Sequence, residues 1–344
     1  MAIRTATDTC LLCGARQSDK TGSHYTPASI IKKVIGKANY EEAYGINAAE
    51  ATMSKFMGRS NLNNTDPNIR KHEHMEDYIF CSECERRLGV IEGICSPPLN
   101  ELVDDLVAGN VKTKRTAKFN KYILLGKVHP NLLIVYFYSI LWRQCLQQRL
   151  DHGTIVIPQV LQDLIRDIVA QEIYKDLKGI YQTDISGFPT MTILTTMHNG
   201  DLTACFINPN TIASNPELFY IGPYIVLLWQ DAQERPGFTQ ATGLAESWKD
   251  SQLQITRRSL PVIGVMPETH WQRSIRRMAD KEAQRFIDTL ARRITVASGY
   301  SFQYCRMVLL GHTNALYRQK GGDYITCITQ VTDNILQSFV GRPV

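Results

Sequence analysis

The hydrophobic positions change period several times along the chain. After Pro27, the apolar residues Ile30, Ile31 and Val34 follow helical spacing behind a proline suited to a helix start, which predicts a helix over Ala28 to Val34. Tyr78-Ile79-Phe80 reads as a short strand and Glu85 to Glu92 as a helix behind it. Pro97 to Val107 shows the helical period again through Leu99, Leu102, Val103 and Leu106, and Ala108-Gly109-Asn110 stops it. His129 to Leu150 predicts a strongly apolar helix. Pro158 to Leu177 predicts an amphipathic one, with Leu161, Leu164, Ile165, Ile168, Val169 and Ile173 on one face.

Beyond Met191 the runs become short and rich in β-branched and aromatic residues: Met191 to Thr196, Thr203 to Ile207, Leu218 to Tyr220 and Tyr224 to Trp229. Asn199-Gly200-Asp201 and Asn208-Pro209-Asn210 punctuate them, so a small, mostly antiparallel sheet is expected, with a hairpin at Asn199-Gly200. Ala232 to Ser259 has no period and reads as an exposed connection. Pro267 opens a long helix reaching about Val296, with Ile275, Met278, Phe286, Leu290 and Ile294 inward. Tyr300 to Leu310 is expected to be a strand and Tyr324 to Phe339 a final helix. The class is α+β.

Composition narrows the picture. With 344 residues, 44% hydrophobic and 21% charged, the chain excludes disorder, collagen and coiled coil, and its length implies about two domains. The longest apolar runs, Leu132 to Trp142 and Leu218 to Trp229, fall short of the ~20 residues of a spanning helix, and Gly222-Pro223 breaks the second. No membrane association is expected. Met1 to Thr9 carries no apolar stretch, so a cytoplasmic address is expected, and in a reducing compartment clustered cysteines point to metal or redox chemistry rather than to disulfides.

Of nine cysteines, four form two pairs, Cys10-Leu11-Leu12-Cys13 and Cys81-Ser82-Glu83-Cys84. Each Cys-x-x-Cys turn can aim two thiolates at one ion, and two turns supply the four soft ligands of a closed tetrahedral Zn²⁺ site. Cys95, Cys145, Cys205, Cys305 and Cys327 stand singly among apolar neighbours and read as core residues. Within the loop closed by the metal lies Ser23-His24-Tyr25-Thr26-Pro27.

The order of zinc turn, His-x-x-Pro, strand, zinc turn and helix resembles the treble-clef zinc fingers of the HNH endonuclease superfamily, over residues 8 to 95. The resemblance implies an N-terminal ββα-like treble clef held by structural zinc. It also implies that His24 acts as general base for attack on a phosphodiester beside a catalytic Mg²⁺ or Mn²⁺. This chain departs from the family pattern at three places: Ser23 stands where an acidic metal ligand is frequent, Glu76 falls near the middle asparagine, and Glu85 follows Cys84 where His or Asn is usual. Glu76, Glu85 and Glu92 are oxygen donors suited to a hard divalent ion, and Glu85 and Glu92, seven apart, share a helix face. His72 and His74 are alternative ligands or phosphate contacts in a charged loop.

Lys+Arg 38 against Asp+Glu 33 gives a net charge of +5, which permits a nucleic-acid partner and leaves the decision to local clustering. The most basic segment holds Lys112, Lys114, Arg115, Lys118 and Lys121 without an acid, beside Phe119 and Tyr122, and suits phosphate contact or a solvated linker. Arg273, Arg277, Lys281 and Arg285 form a second stripe, diluted by Asp280, Glu282 and Asp288 and read as a solvated face. The expected organisation is a zinc domain over 1–95, a helix and basic linker over 96–126, and an α+β domain over 127–344. The expected function is a divalent-metal-dependent nuclease acting on DNA or RNA, with prokaryotic defence against foreign DNA as the setting. The alternative is a non-catalytic module binding nucleic acid or a protein partner.

Overall fold

The structure, a computed structural model, describes residues 4–35, 43–47, 51–56, 75–118, 120–153, 155–198, 206–209, 216–229, 251–255, 260–320 and 324–338. In chain order the first elements are β1 (Ser23–His24), α1 (Ala28–Ile35), β2 (Ala43–Asn47), β3 (Thr52–Phe56), β4 (Met75–Glu76), α2 (Ser82–Ala108), β5 (Lys114–Arg115), β6 (Lys121–Leu124) and α3 (Pro130–His152). There follow α4 (Gln159–Glu172), α5 (Leu177–Gln182), β7 (Thr190–Thr195), β8 (Phe206–Pro209), β9 (Glu217–Gly222), β10 (Tyr224–Trp229), β11 (Val262–Val265), α6 (Glu268–Ser298), α7 (Phe302–Lys320) and α8 (Tyr324–Gln337). The chain is of mixed α+β class. It divides into two compact units, one of residues 1–43 and 57–275, the other of residues 44–56 and 276–344.

In the first unit, α3 is buried on all sides from Pro130 to Leu146, as expected of a helix that is apolar all round. His129 caps its start, accepting the Asn131 N–H at 3.3 Å, and Gly153 at φ 63° ends it. α2 is one continuous helix where the sequence reading placed two. Pro97 and Pro98 remove two backbone donors inside it. The buried face nevertheless keeps its register across them, from Cys84, Leu88, Ile91 and Cys95 to Leu99, Leu102, Val103 and Leu106, and tertiary packing outweighs the local cost.

A seven-stranded sheet with the order β5-β6-β11-β7-β10-β9-β8 belongs to the same unit; every neighbouring pair is antiparallel except β11 and β7. β9 and β10 are buried throughout and joined by a two-residue turn, Gly222-Pro223, with Ile221 opposite Tyr224 and Gly222 at φ 60°. The hairpin expected at Asn199-Gly200 lies outside the described residues, as do Thr203 to Cys205, His72 and His74. Within the connection expected to be exposed, Leu253 and Ile255 are buried, and the Ile255 N–H donates to Met191 O at 3.0 Å.

In the second unit, β2 and β3 pair with each other, and Ala51 between them belongs to the core formed by α6, α7 and α8. Phe286, Ile287, Leu290 and Ile294 of α6 meet Cys305 and Leu309 of α7 and Ile328 and Val331 of α8. The strand expected over Tyr300 to Leu310 is instead the start of α7. Cys305, Leu309 and Thr313 recur every four residues as its buried stripe, and that period decides against the β-propensity of the tyrosines.

Candidate metal centre and adjoining polar site

The first cysteine pair lies in a tight turn. The Cys10 N–H donates to Arg16 O at 2.7 Å, and the Gly14 N–H donates to Cys10 O at 2.9 Å, with Gly14 at φ 64°, a conformation glycine adopts without strain. The second pair opens a helix: Cys81 is the N-cap of α2, and its sulfur accepts the Cys84 N–H at 3.4 Å. Backbone bonds hold the turns together, from Leu11 N to Ile79 O at 2.9 Å and from Lys20 N to Phe80 O at 3.2 Å. Tyr78 to Phe80, expected as a strand, is irregular, with Tyr78 at φ 60°; the ladder forms earlier, where Met75 and Glu76 face His24 and Ser23. Asp19 accepts the Ser82 N–H at 2.7 Å, satisfying one free donor of the α2 N-terminus.

All four sulfurs, Cys10, Cys13, Cys81 and Cys84, lie within 4.8 Å of one another. Four thiolates around one Zn²⁺ at ~2.3 Å stand about 3.8 Å apart, so the donor set and its spacing fit such an ion. Cys10, Cys81 and Cys84 are buried and Cys13 is half-buried. Cys84 and Cys10 lie close enough to share a proton, which holds Cys10 down at about 4, while the same contact and burial push Cys84 well up. Burial also raises Cys81. A divalent ion relieves this competition by taking the place of the shared protons.

Beside this cluster the structure gathers most of the residues that the resemblance singled out. Ser23 is buried, whereas His24 and Glu76 are half-buried on the β1–β4 ladder, with Glu76 across from Ser23. Glu85 and Glu92 project from α2 toward Arg143 of α3, a residue the sequence reading passed over. Arg143 is 1% exposed; its Nη2 donates to Glu92 Oε1 at 2.7 Å, its Nη1 to His24 O at 2.9 Å and its Nε to Ser139 O at 3.0 Å. Burial raises the Glu85 carboxyl above its usual range, opposed by the Arg143 charge and then by the neighbouring Ser23 hydroxyl. Ser23 Oγ and Glu85 Oε2 are nevertheless both shut from solvent with no hydrogen-bond partner at bonding distance.

An arginine inside the apolar stretch of α3, between Trp142 and Cys145, was the available signal for Arg143, because a buried guanidinium requires a carboxylate. The basic segment lies elsewhere, on the β5–β6 hairpin at the edge of the large sheet, where Lys112, Lys114, Arg115, Lys118 and Lys121 are all exposed. Cations on an edge strand also discourage edge-to-edge pairing. On α6, Arg273 and Arg277 are exposed, Arg285 is paired with Glu282 at 3.1 Å, and burial lowers Lys281. No helix among the described residues is long and apolar enough to cross a membrane. Neither a protein-family profile, nor a curated protein, nor a solved structure matches the chain.

Proposed function

We propose that the chain is a zinc-stabilised, HNH-like phosphodiester hydrolase acting on DNA or RNA, with a treble clef built on Cys10, Cys13, Cys81 and Cys84. The observation that carries this reading is the pair of buried, unpartnered oxygens, Ser23 Oγ and Glu85 Oε2, one residue from His24 and one residue from the four-sulfur cluster. A buried hydroxyl and a neighbouring buried carboxylate oxygen, neither held by a hydrogen bond of normal geometry, are oxygen ligands of the kind a hard cation such as Mg²⁺ or Mn²⁺ takes. Such an ion, when bound, stabilises charge on the phosphate and on the leaving oxygen. His24 takes the proton from the attacking water. Arg143 holds the His24 carbonyl and the Glu92 carboxylate at fixed distances, and so keeps β1 in place against α2. Action against foreign DNA in a prokaryotic cell is the setting that suits such a module.

A second reading is favoured by one feature of the same site. The Arg143 guanidinium already neutralises Glu92, as expected of a treble clef that has kept its fold and binds nucleic acid or a protein without cleaving. Incubation of supercoiled and single-stranded DNA and of RNA with Mg²⁺ or Mn²⁺ separates the two. The nuclease reading expects cleavage that falls roughly 10²-fold or more in His24→Ala. A wild-type protein that binds these substrates and leaves them intact overturns catalysis and establishes the second reading.

A further inference from the structure

The segment that follows α4 reaches back to the cysteine cluster. Tyr174, two residues beyond the helix end, places its hydroxyl 3.4 Å from Cys84 Sγ. The Arg87 guanidinium lies 4.4 Å from the centre of the Tyr174 ring and that of Arg16 lies 5.9 Å from it. Arg87 is itself held in place: its Nη1 donates to Ile173 O at 3.2 Å and its Nε bonds Glu83 one turn earlier on α2. Thus the residue beside the sulfur, its preceding carbonyl and the arginine over its ring form one connected group.

Charge explains why such a group would be there. Four thiolates on one divalent ion carry a net charge of −2, and a largely buried centre of that charge needs donors and cations around it. Backbone N–H groups of Leu12, Cys13 and Cys81 turn toward Cys10, and the Cys84 N–H serves Cys81. Cys84 is the ligand that a side chain from outside the zinc turns serves, and the two arginines over the ring supply positive charge. We propose that Tyr174 caps the metal centre: its hydroxyl donates to the Cys84 thiolate, and its ring, held by Arg16 and Arg87, makes metal retention depend on the segment after α4. This rests on the metal reading above. It extends the centre beyond residues 8 to 95, to a residue that no cysteine spacing reveals.

The test uses the full chain loaded with Zn²⁺, and in parallel with Co²⁺, whose sulfur-to-metal charge-transfer band reports the electron density on the thiolates. Tyr174→Phe keeps the ring on Arg87 and removes only the hydroxyl. It should shift the charge-transfer band and release Zn²⁺ to a chromogenic chelator roughly 10-fold or more faster, the usual size of a lost outer-shell bond. Arg87→Met, which removes the cation from over the ring, should also accelerate release, with Tyr174 still present. The two failures are distinguishable. A wild-type chain that takes up neither metal overturns the metal centre and the cap together; a wild-type chain that holds metal, with Tyr174→Phe matching it in band position and release rate, overturns the cap alone.

Discussion

Arg143 and Glu92 meet at 2.7 Å, but unequally: the arginine side chain is 1% exposed, the glutamate 25%. The two ends of the pair therefore carry different costs. Removing Glu92 leaves a charged guanidinium in the interior hydrogen-bonded to carbonyls and a hydroxyl, with the Glu85 carboxyl nearby, whereas removing Arg143 leaves a carboxylate that water can reach. Glu92→Leu should destabilise the first unit by about 3 kcal/mol, the lower end for breaking a buried ion pair, and more than Glu92→Gln, which keeps an oxygen for Arg143. Urea unfolding followed by tryptophan fluorescence checks this; equal midpoints for the two variants would show that the pair does not hold α2 to α3.

Metal removal should act on the same region through a different bond set. The turn from Cys10 to Gly14 and the irregular stretch Tyr78 to Phe80 have few regular hydrogen bonds, and four thiolates facing one another repel as they ionise. Cys81→Ser, or prolonged chelation, should expose the backbone of residues 8–35 and 75–92 to hydrogen exchange, since structural zinc supplies on the order of 10 kcal/mol in such modules. The core of the second unit, around Leu290 and Leu309, should keep its protection. Full protection of residues 8–35 without metal would contradict a structural role for the cluster.

Legibility differed between the parts of this site for identifiable reasons. Cys10, Cys13, Cys81 and Cys84 were readable because a metal dictates ligand type and local spacing, and these four do lie within 4.8 Å of one another. Arg143 and Tyr174 act over separations of 51 and 90 residues from Glu92 and Cys84, and no local spacing encodes such a meeting. The helices α4 and α6 were legible because each keeps one period over several turns, and α3 because its apolar run is too long for a strand. α2 was divided at Pro97 because local chemistry argues for a break there, while the apolar register that carries the helix through becomes decisive only once α3 packs on it. Tyr300 to Leu310 misled in the opposite direction, its aromatic content masking the four-residue recurrence of Cys305, Leu309 and Thr313. The turn at Gly222-Pro223 was visible only as an interruption of an apolar run, although a glycine leading a two-residue loop is itself a hairpin signal.

The basic hairpin should reveal its role through salt. Lys112, Lys114, Arg115, Lys118 and Lys121 are exposed on an edge, so they are free to reach phosphates, and no acid lies among them. Replacing all five by Gln should lower affinity for nucleic acid alike across sequences and flatten the log–log salt dependence by about 4 to 5, near 0.9 for each lost phosphate contact. If affinity and slope stay as they were, the hairpin serves only to protect the sheet edge, and the exposed arginines of α6 become the surface to test.

Glu85→Gln should stabilise the fold and, under the nuclease reading, abolish cleavage. Glu85 is half-buried as a residue, yet its Oε2 is shut from solvent, and burial raises its carboxyl above the usual value of 4.5. An acid whose folded value is raised contributes fully below the unfolded value and loses that contribution as pH rises through the folded one. The amide never ionises, so without a divalent ion the variant should melt higher than wild type at pH 7, and the two should converge as pH falls below 4.5. Added Mn²⁺ should raise the melting temperature of wild type and leave that of Glu85→Gln unchanged, because the variant has lost the anionic oxygen that a hard cation needs. Calorimetric scans at the two pH values, with and without Mn²⁺, read all of this. A response to Mn²⁺ that is identical in both proteins would place the hard cation away from Glu85 and remove it from the catalytic set.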